Sequence, residues 1–301
     1  MTPGSRARAI VTPGSPIRAI VTPGSPIRAT VTPGDKTVPL DRYRKPGRTR
    51  AVLPGEIGVP GARTALRQSI IVPTYNERDN VHALLDRLAA ALPHTETEIV
   101  FVDDSTDDTV ALLRDLARTY PMPITVHHRD DGAGGLGGAV VEGMRIARGE
   151  WIVVMDADLQ HPPEIVPDLI AAGMRDGADL VVGSRYTAGG STGGLADGYR
   201  KLVSRGSTLL VKTLFRNSLL AVSDPMSGLF AIRASSLDAG RLRPLGYKIL
   251  LELIVRNRPG RVVEVPYTFQ ARFAGESKST VSEGLRFLKH VGRLRLGGRP
   301  R

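Results

Sequence analysis

A chain of 301 residues, 41% hydrophobic and 24% charged, is long enough for one large domain or two small ones with a sizeable core. It holds no cysteine, which excludes disulfides and thiolate metal sites and points to a reducing compartment. The net charge of +11 sits at the ends: residues 1–69 carry 12 Lys and Arg against 3 Asp and Glu, residues 284–301 carry six basic residues and no acid, and the body between is net acidic.

The first 34 residues repeat with a period of ten, as "TPGSRARAIV", "TPGSPIRAIV", "TPGSPIRATV" and "TPGDKTV". Each unit is rich in Pro and Gly and poor in core-forming residues. Residues 1–68 therefore read as a disordered basic tail, its repeat too short for a solenoid. The N-terminus has no apolar signal-peptide core, and no apolar run approaches the roughly 18–20 residues that span a bilayer. The expected location is cytoplasmic, soluble or peripheral.

Order begins at "SIIVPTYNE". Strands are expected at 69–73, 98–102, 124–128, 150–155 and 179–183, and helices at 78–91, 107–119, 136–148 and 163–175. The strands are short and β-branched, as in sheets covered on both faces. The helices carry apolar residues at three- and four-residue spacing, as at Val81, Leu84, Leu85 and Leu88. Alternating βα units predict an α/β fold with a doubly wound, mostly parallel sheet. Ligands of such sheets bind beyond the carboxyl ends of the strands.

Each of those ends carries a motif. At "VPTYNE" Pro73 is expected to turn the chain, Asn76 to cap the next helix, and Tyr75 to offer a stacking face. At "FVDDSTDDT" Ser105 or Asp107 can cap a helix, which leaves the pair Asp103 and Asp104 for a ribose or base. At "DGAGGLGG" Gly132, Gly134 and Gly137 satisfy G-x-G-x-x-G, with Asp156 19 residues further on. That keeps an NAD-dependent oxidoreductase as a remote alternative, remote because two βα units precede a fingerprint that belongs to the first.

"MDADLQHPPE" follows the fourth strand. In an extended segment Asp156 and Asp158 face one side, with Gln160 in the same phase. Two converging carboxylates repel unless a cation or a proton relieves them, and oxygen-only ligands suit Mg²⁺ or Mn²⁺ completed by phosphate oxygens. His161 reads as part of a turn. Arg185, Arg200, Arg272 and Lys278 lie in the second half of the chain, where converging cations would suit phosphate.

In order along the chain, "PTYNE", "VDDSTDDT", "GLGGAV", "MDADLQHPPE", "GSRY", "DPMSGLFAIR", "GYKILLELIVR", "EVPYTF" and "GESKS" resemble family 2 glycosyltransferases of the GT-A fold. Within them they resemble the dolichol-phosphate (polyprenol-phosphate) mannosyltransferases. The resemblance runs from about Ser69 to Arg295 and implies a GT-A domain over 69–283. It implies transfer of mannose from GDP-mannose to a dolichyl or polyprenyl phosphate, with UDP-glucose or UDP-N-acetylglucosamine as alternative donors. It implies donor contacts at Pro73, Tyr75, Glu77, Asp103, Asp104 and Ala157, and a divalent cation at Asp156, Asp158 and Gln160. Arg185, Arg200, Arg272 and Lys278 match positions that handle the donor and the phosphates, and transfer is implied to invert the anomeric carbon.

The departing diphosphate needs charge stabilisation, which a metal on Asp158 supplies. A lipid monophosphate is largely ionised at neutral pH, so no general base is expected; Arg200, Arg272 and Lys278 would hold it. The acceptor's greasy tail requires a bilayer. Two basic amphipathic segments, 199–215 and 284–301, could lie on an anionic membrane at its cytoplasmic face. In the second, Leu285, Leu288, Val291 and Leu294 form the expected apolar stripe. A membrane partner subunit is a further possibility. With only 5% aromatics, no specific nucleic acid is expected.

Overall fold

The computed structural model describes residues 66–193, 198–274 and 281–297, with the backbone alone at 198–205, 281–283 and 285. The expected tail up to residue 65, Lys278 and the side chain of Arg200 lie outside the described residues. All described residues fall in one unit, Pro60–Arg301.

Seven strands form one sheet. They are β1 (Gln68–Thr74), β2 (Thr97–Asp103), β3 (Ile124–His128), β4 (Trp151–Val154), β5 (Leu180–Ser184), β6 (Phe230–Arg233) and β7 (Val262–Pro266). Their order is β3-β2-β1-β4-β6-β5-β7. All pairs are parallel except those of β6, which runs antiparallel to both β4 and β5. The helices are α1 (Arg78–Ala91), α2 (Thr109–Thr119), α3 (Gly135–Ile146), α4 (Val166–Asp176), α5 (Gly198–Leu214), α6 (Ile249–Asn257) and α7 (Val281–Leu296). A 3₁₀ turn over Pro163–Ile165 leads into α4, so the proline pair of "HPPE" starts that helix.

Side chains of the central strands alternate between two apolar layers. Ile70, Val72, Phe101, Trp151 and Val153 face α1, α2 and α4. Ile71, Val100, Val102, Ile152 and Val154 face α3, α6 and the described residues of α5 and α7. The sheet is thus covered on both sides, as its β-branched strands require. Each fully buried Leu, Ile or Phe contributes about 1.5–3 kcal/mol.

Two expectations are corrected here. β1 does not turn at Pro73 but runs on to Thr74, with Pro73 opposite Val102. Ile71 turns its carbonyl to β4, accepting from the Met155 N–H. Pro73 shares that direction, and the β1–β4 ladder has already ended at Ile71 and Val154, so its missing N–H is not needed. The stripe expected on α7 is also displaced. Phe287, Val291 and Leu294 pack on the core, whereas Leu288 is 53% exposed. α5 divides: Val211 is buried, whereas Leu209 and Leu210 are exposed. Among the described residues no helix is long and apolar enough to cross a membrane.

Candidate active site

The loops after β1, β2, β4 and β5 gather at the carboxyl end of the sheet. The first two are tied to each other. Ser105 Oγ donates to Asp103 Oδ1 (2.6 Å) and accepts from the Asn76 N–H (2.8 Å), while Asn76 Oδ1 accepts from the Thr106 N–H (2.9 Å). Asn76 has φ 55°, a left-handed conformation that Asn tolerates. It therefore staples two loops and does not cap α1, whose cap position is Glu77. Asp107 does meet the start of α2, accepting from the Thr109 N–H at 2.9 Å.

The acid pair after β2 divides its roles. Asp103 is fully buried and accepts from Thr74 Oγ1 (2.7 Å), Ser105 Oγ and N–H, and His128 Nδ1 (2.8 Å). It holds the loops and offers no surface to a ligand, a correction to the expectation for the pair. Asp104 takes a two-pronged grip from Arg129, at 2.8 Å to Nε and 2.5 Å to Nη2. Arg129 also donates to the carbonyls of Ala133 and Gly135. Nothing in the spacing of "HHRDDG" marks it for this work.

The glycine turn serves packing. Gly132, Gly134 and Gly135 all have positive φ. The Gly137 N–H donates to the Gly246 carbonyl at 2.8 Å, and a Cβ on Gly137 would meet that oxygen at 2.5 Å. The amide that a dinucleotide phosphate would need is spent on a neighbouring loop.

Beyond β4 the chain does not stay extended, so the simple alternation of Asp156, Asp158 and Gln160 is corrected. Residues 157–161 form a turn and bends, with Leu159 at φ 62°. Asp158 is buried, whereas the Asp156 side chain is 36% exposed. Asp158 Oδ1 accepts from the Gln160 N–H (3.0 Å), and Oδ2 pairs with Arg272 Nη2 (2.8 Å). Burial raises both carboxyls above the ordinary carboxylate range; Asp158 is raised further by Asp156, whereas Lys248, Arg272 and Arg185 pull Asp156 partly back. Ala157 is in the core, so only its backbone can face a ligand.

Arg272 reaches this loop from a segment over a hundred residues away. The Phe273 N–H donates to the Asp158 carbonyl and the Gln270 N–H to the Gln160 carbonyl. The Arg272 guanidinium lies 3.5 Å from Gln160 Oε1 and 4.0 Å from Glu77 Oε1. Glu77, Asp158, Gln160 and Arg272 are thus brought together. Tyr75 stands 47% exposed beside them in sequence.

Arg185 is committed elsewhere. Its Nε and Nη2 grip both oxygens of Asp224, a fully buried carboxylate, at 2.7 and 2.9 Å. Burial disfavours its charge, but Asp224 more than offsets this and raises its pKa. Asp224 lies in "DPMSGLFAIR", which gave no hint of a partner 39 residues away. Two further residues complete the shell. A Cβ on Gly228 would meet His161 Cε1 at 2.8 Å and Asp156 Oδ2 at 2.9 Å, so any side chain there would have to displace one of them. Lys248, at the head of α6, is lowered to about 8 by burial and by Arg185. His161 is structural, as expected: it is buried, packs on Tyr267 and Phe269, accepts from the Asp156 N–H at 3.3 Å, and is lowered by burial to about 4.

The acids suit a hard cation. Among the described residues no three His, Asp or Glu converge on one point. Asp156, Asp158 and the Gln160 side chain offer only oxygen donors on this loop, the donor type that suits Mg²⁺ or Mn²⁺ when phosphate oxygens supply the rest.

Residues 69–240 match the family model described as "Glycosyl transferase family 2". A dolichol-phosphate mannosyltransferase of Pyrococcus furiosus is 40% identical over 76% of this chain. The match spans 64% of that archaeal relative's length. Proteins of the same name from Mycosarcoma maydis and Saccharomyces cerevisiae are 37% and 35% identical, over 70% and 76% of this chain and 72% and 87% of their own. Among solved structures, glucosyl-3-phosphoglycerate synthase from Mycobacterium tuberculosis, in complex with Mn²⁺, UDP and glucosyl-3-phosphoglycerate, superposes with a TM-score of 0.56. It is 20% identical, and the match covers 81% of this chain and 87% of that one. Mannosyl-3-phosphoglycerate synthase from Rubrobacter xylanophilus gives a TM-score of 0.58 at 18% identity, covering 78% and 76%. These two share the fold.

Proposed function

The chain belongs to glycosyl transferase family 2, and from that premise we propose that it transfers mannose from GDP-mannose to a dolichyl or polyprenyl monophosphate. The observation that carries the reading is the meeting of Asp158 with Arg272 at 2.8 Å, at the carboxyl end of β4. It sets a carboxylate for a cation beside a guanidinium for a phosphate. The names borne by the relatives support the mannosyl group and the lipid acceptor.

Tyr75 offers its ring to the guanine, and Asp104 faces the ribose or base from the adjacent loop. The residues that would hold a divalent cation, Mg²⁺ or Mn²⁺, are Asp156, Asp158 and Gln160; bound there, it would supply Lewis-acid stabilisation of the departing diphosphate. Arg272, with Arg200 and Lys278, holds the acceptor phosphate against the like-charged donor. That phosphate is already ionised and attacks the anomeric carbon in line, so the C–O bond to GDP breaks as the new one forms and the carbon inverts. No side chain need take a proton. Glu77 and Gln160 orient Arg272. The exposed Leu209, Leu210 and Leu220, with Lys212 on the same helix as the first two, suit peripheral contact with an anionic bilayer.

The test is a donor panel. Purified full-length protein is given polyprenyl phosphate, Mg²⁺ or Mn²⁺, and GDP-mannose, UDP-glucose or UDP-N-acetylglucosamine, and the lipid product is weighed by mass spectrometry. Mannosyl lipid from GDP-mannose alone, lost with EDTA, is expected. A product from a UDP-sugar alone replaces the donor, and no sugar-lipid from any donor overturns the reading.

A further inference from the structure

At the amino end of the parallel strands, opposite the acidic loops, lies a pocket of about 790 Å³ lined by Arg216, Arg241, Arg243, Arg256, Arg258 and Arg295. Its position follows from topology. β6 starts beside Asp156 and runs antiparallel, so the turn carrying Arg241 emerges at the far end. α6 is capped by Lys248 at its start and by Arg258 at its end, just before β7 begins. The floor is apolar, from Leu214, Phe215, Val255 and Leu294, and among the described residues no carboxylate lines it.

Six guanidinium groups in one pocket repel, so their compensation matters. Arg256 pairs with the fully buried Glu252 at 2.7 Å, and Arg241 with Asp238 at 3.1 Å. The carboxyl ends of α5, α6 and α7 also meet here, and each carries about −0.5 of a charge. Together these leave a surplus of about two and a half positive charges. Among the described residues no carboxylate pairs with Arg216, Arg258 or Arg295. A surface stabilised only by helix dipoles would not need that surplus.

We propose that this pocket is a second anion site, separate from the catalytic cleft, that takes a ligand bearing an anionic phosphate group. Guanidinium forks from several elements suit phosphate oxygens, and the apolar floor suits a ligand with a carbon body. A free phosphorylated molecule and a phospholipid headgroup share this chemistry.

The test uses the full chain with EDTA present, which silences the metal-dependent cleft. Pyrophosphate is titrated calorimetrically, and co-sedimentation is measured with phosphatidylcholine vesicles with and without phosphatidylglycerol. The triple variant R216Q/R258Q/R295Q is compared with R114Q/R118Q/R175Q, which removes equal charge from α2 and α4, and with the single variant R295Q. The pocket triple should lose about tenfold or more in affinity, R295Q less, and the control triple little. Loss for pyrophosphate identifies a free ligand, and loss for anionic vesicles alone identifies a headgroup. The pocket triple should also melt no lower than wild type at low salt, since like charges have been removed. Unchanged binding in the pocket triple, equal loss in the control, or a fall in melting temperature matched by R295Q overturns the proposal.

Discussion

At the scale of single residues, Asp158 and Asp103 are both buried aspartates at strand ends, yet their substitutions should fail in different ways. Asp158→Asn keeps the shape, removes the charge opposite Arg272, and should lower kcat on the order of 10²–10³-fold while the fold persists, measured by product formation and by melting. Asp103→Asn places an amide among hydroxyl, backbone and imidazole donors that all need an acceptor. It should cost about 1–3 kcal/mol of stability, read by urea unfolding. Asp104→Asn breaks the largely buried two-pronged pair with Arg129, so it should also cost about 1–3 kcal/mol, and in addition it should raise the KM for the donor. The sequence marked the pair but not the split, because what separates them is Arg129 and His128 on and after β3, which no spacing links to β2. The acids of "DADLQ" were legible from a strand end with two like charges. Their geometry was not, because Leu159 takes a left-handed turn that only the Arg272 segment and the packed core enforce.

At the scale of elements, the alternation of apolar strand and amphipathic helix was readable from β1 to β5, since each parallel strand is a β-branched run followed by a helix of three-residue periodicity. It failed at β6 and β7. β6 is only four residues, "FAIR", runs against its neighbours, and follows a loop whose burial comes from Asp224 and its partner Arg185. The apolar stripe of α7 failed for another reason: two overlapping stripes fit the spacing, and only the partner surface selects Phe287, Val291 and Leu294.

That docking buries His290 on α7, which burial together with Arg256 and Arg293 lowers to about 4, while Glu252, 3.8 Å away, is already held by Arg256. Between the ordinary histidine value and 4 the unfolded chain binds the proton and the folded chain does not. Stability from this residue is therefore full above about pH 6.5 and is lost as pH falls towards 4. Urea melts between pH 7 and pH 4 should show a shallower loss in His290→Gln than in wild type. On the other face, Gly173 of α4 lies where a Cβ would meet the Trp151 ring at 2.4 Å. Gly173→Ala should therefore destabilise by about 1–3 kcal/mol, although alanine favours helix by roughly 1 kcal/mol. Thermal denaturation decides the sign.

At the scale of the whole molecule, charge and chemistry are kept apart. The acidic loops occupy one end of the sheet and the arginine pocket the other, while the basic residues of the sequence concentrate at its two ends. Deleting residues 1–65 should leave the melting temperature and the turnover of a short, soluble polyprenyl phosphate unchanged. Affinity for anionic vesicles should fall, and its steepness with salt should fall with it, because the deletion removes long-range attraction screened beyond about 8–10 Å at ordinary ionic strength. Vesicle binding at several salt concentrations, with and without the tail, measures this.

The chain contains a single tryptophan, Trp151. Its ring is fully buried, packed against Gly173 and beneath the Arg233 guanidinium, and among the described residues its indole N–H has no hydrogen-bond partner. It opens β4, the strand whose other end leads into Asp156. A lone fluorophore in so dry a setting should emit at short wavelength and shift to the red only when the core itself opens. Events at the acidic loops, a strand's length away, should leave that colour alone. Intrinsic fluorescence is then a meter of unfolding that occupancy of the cleft does not disturb, and it can separate variants that unfold from variants that fold but no longer react.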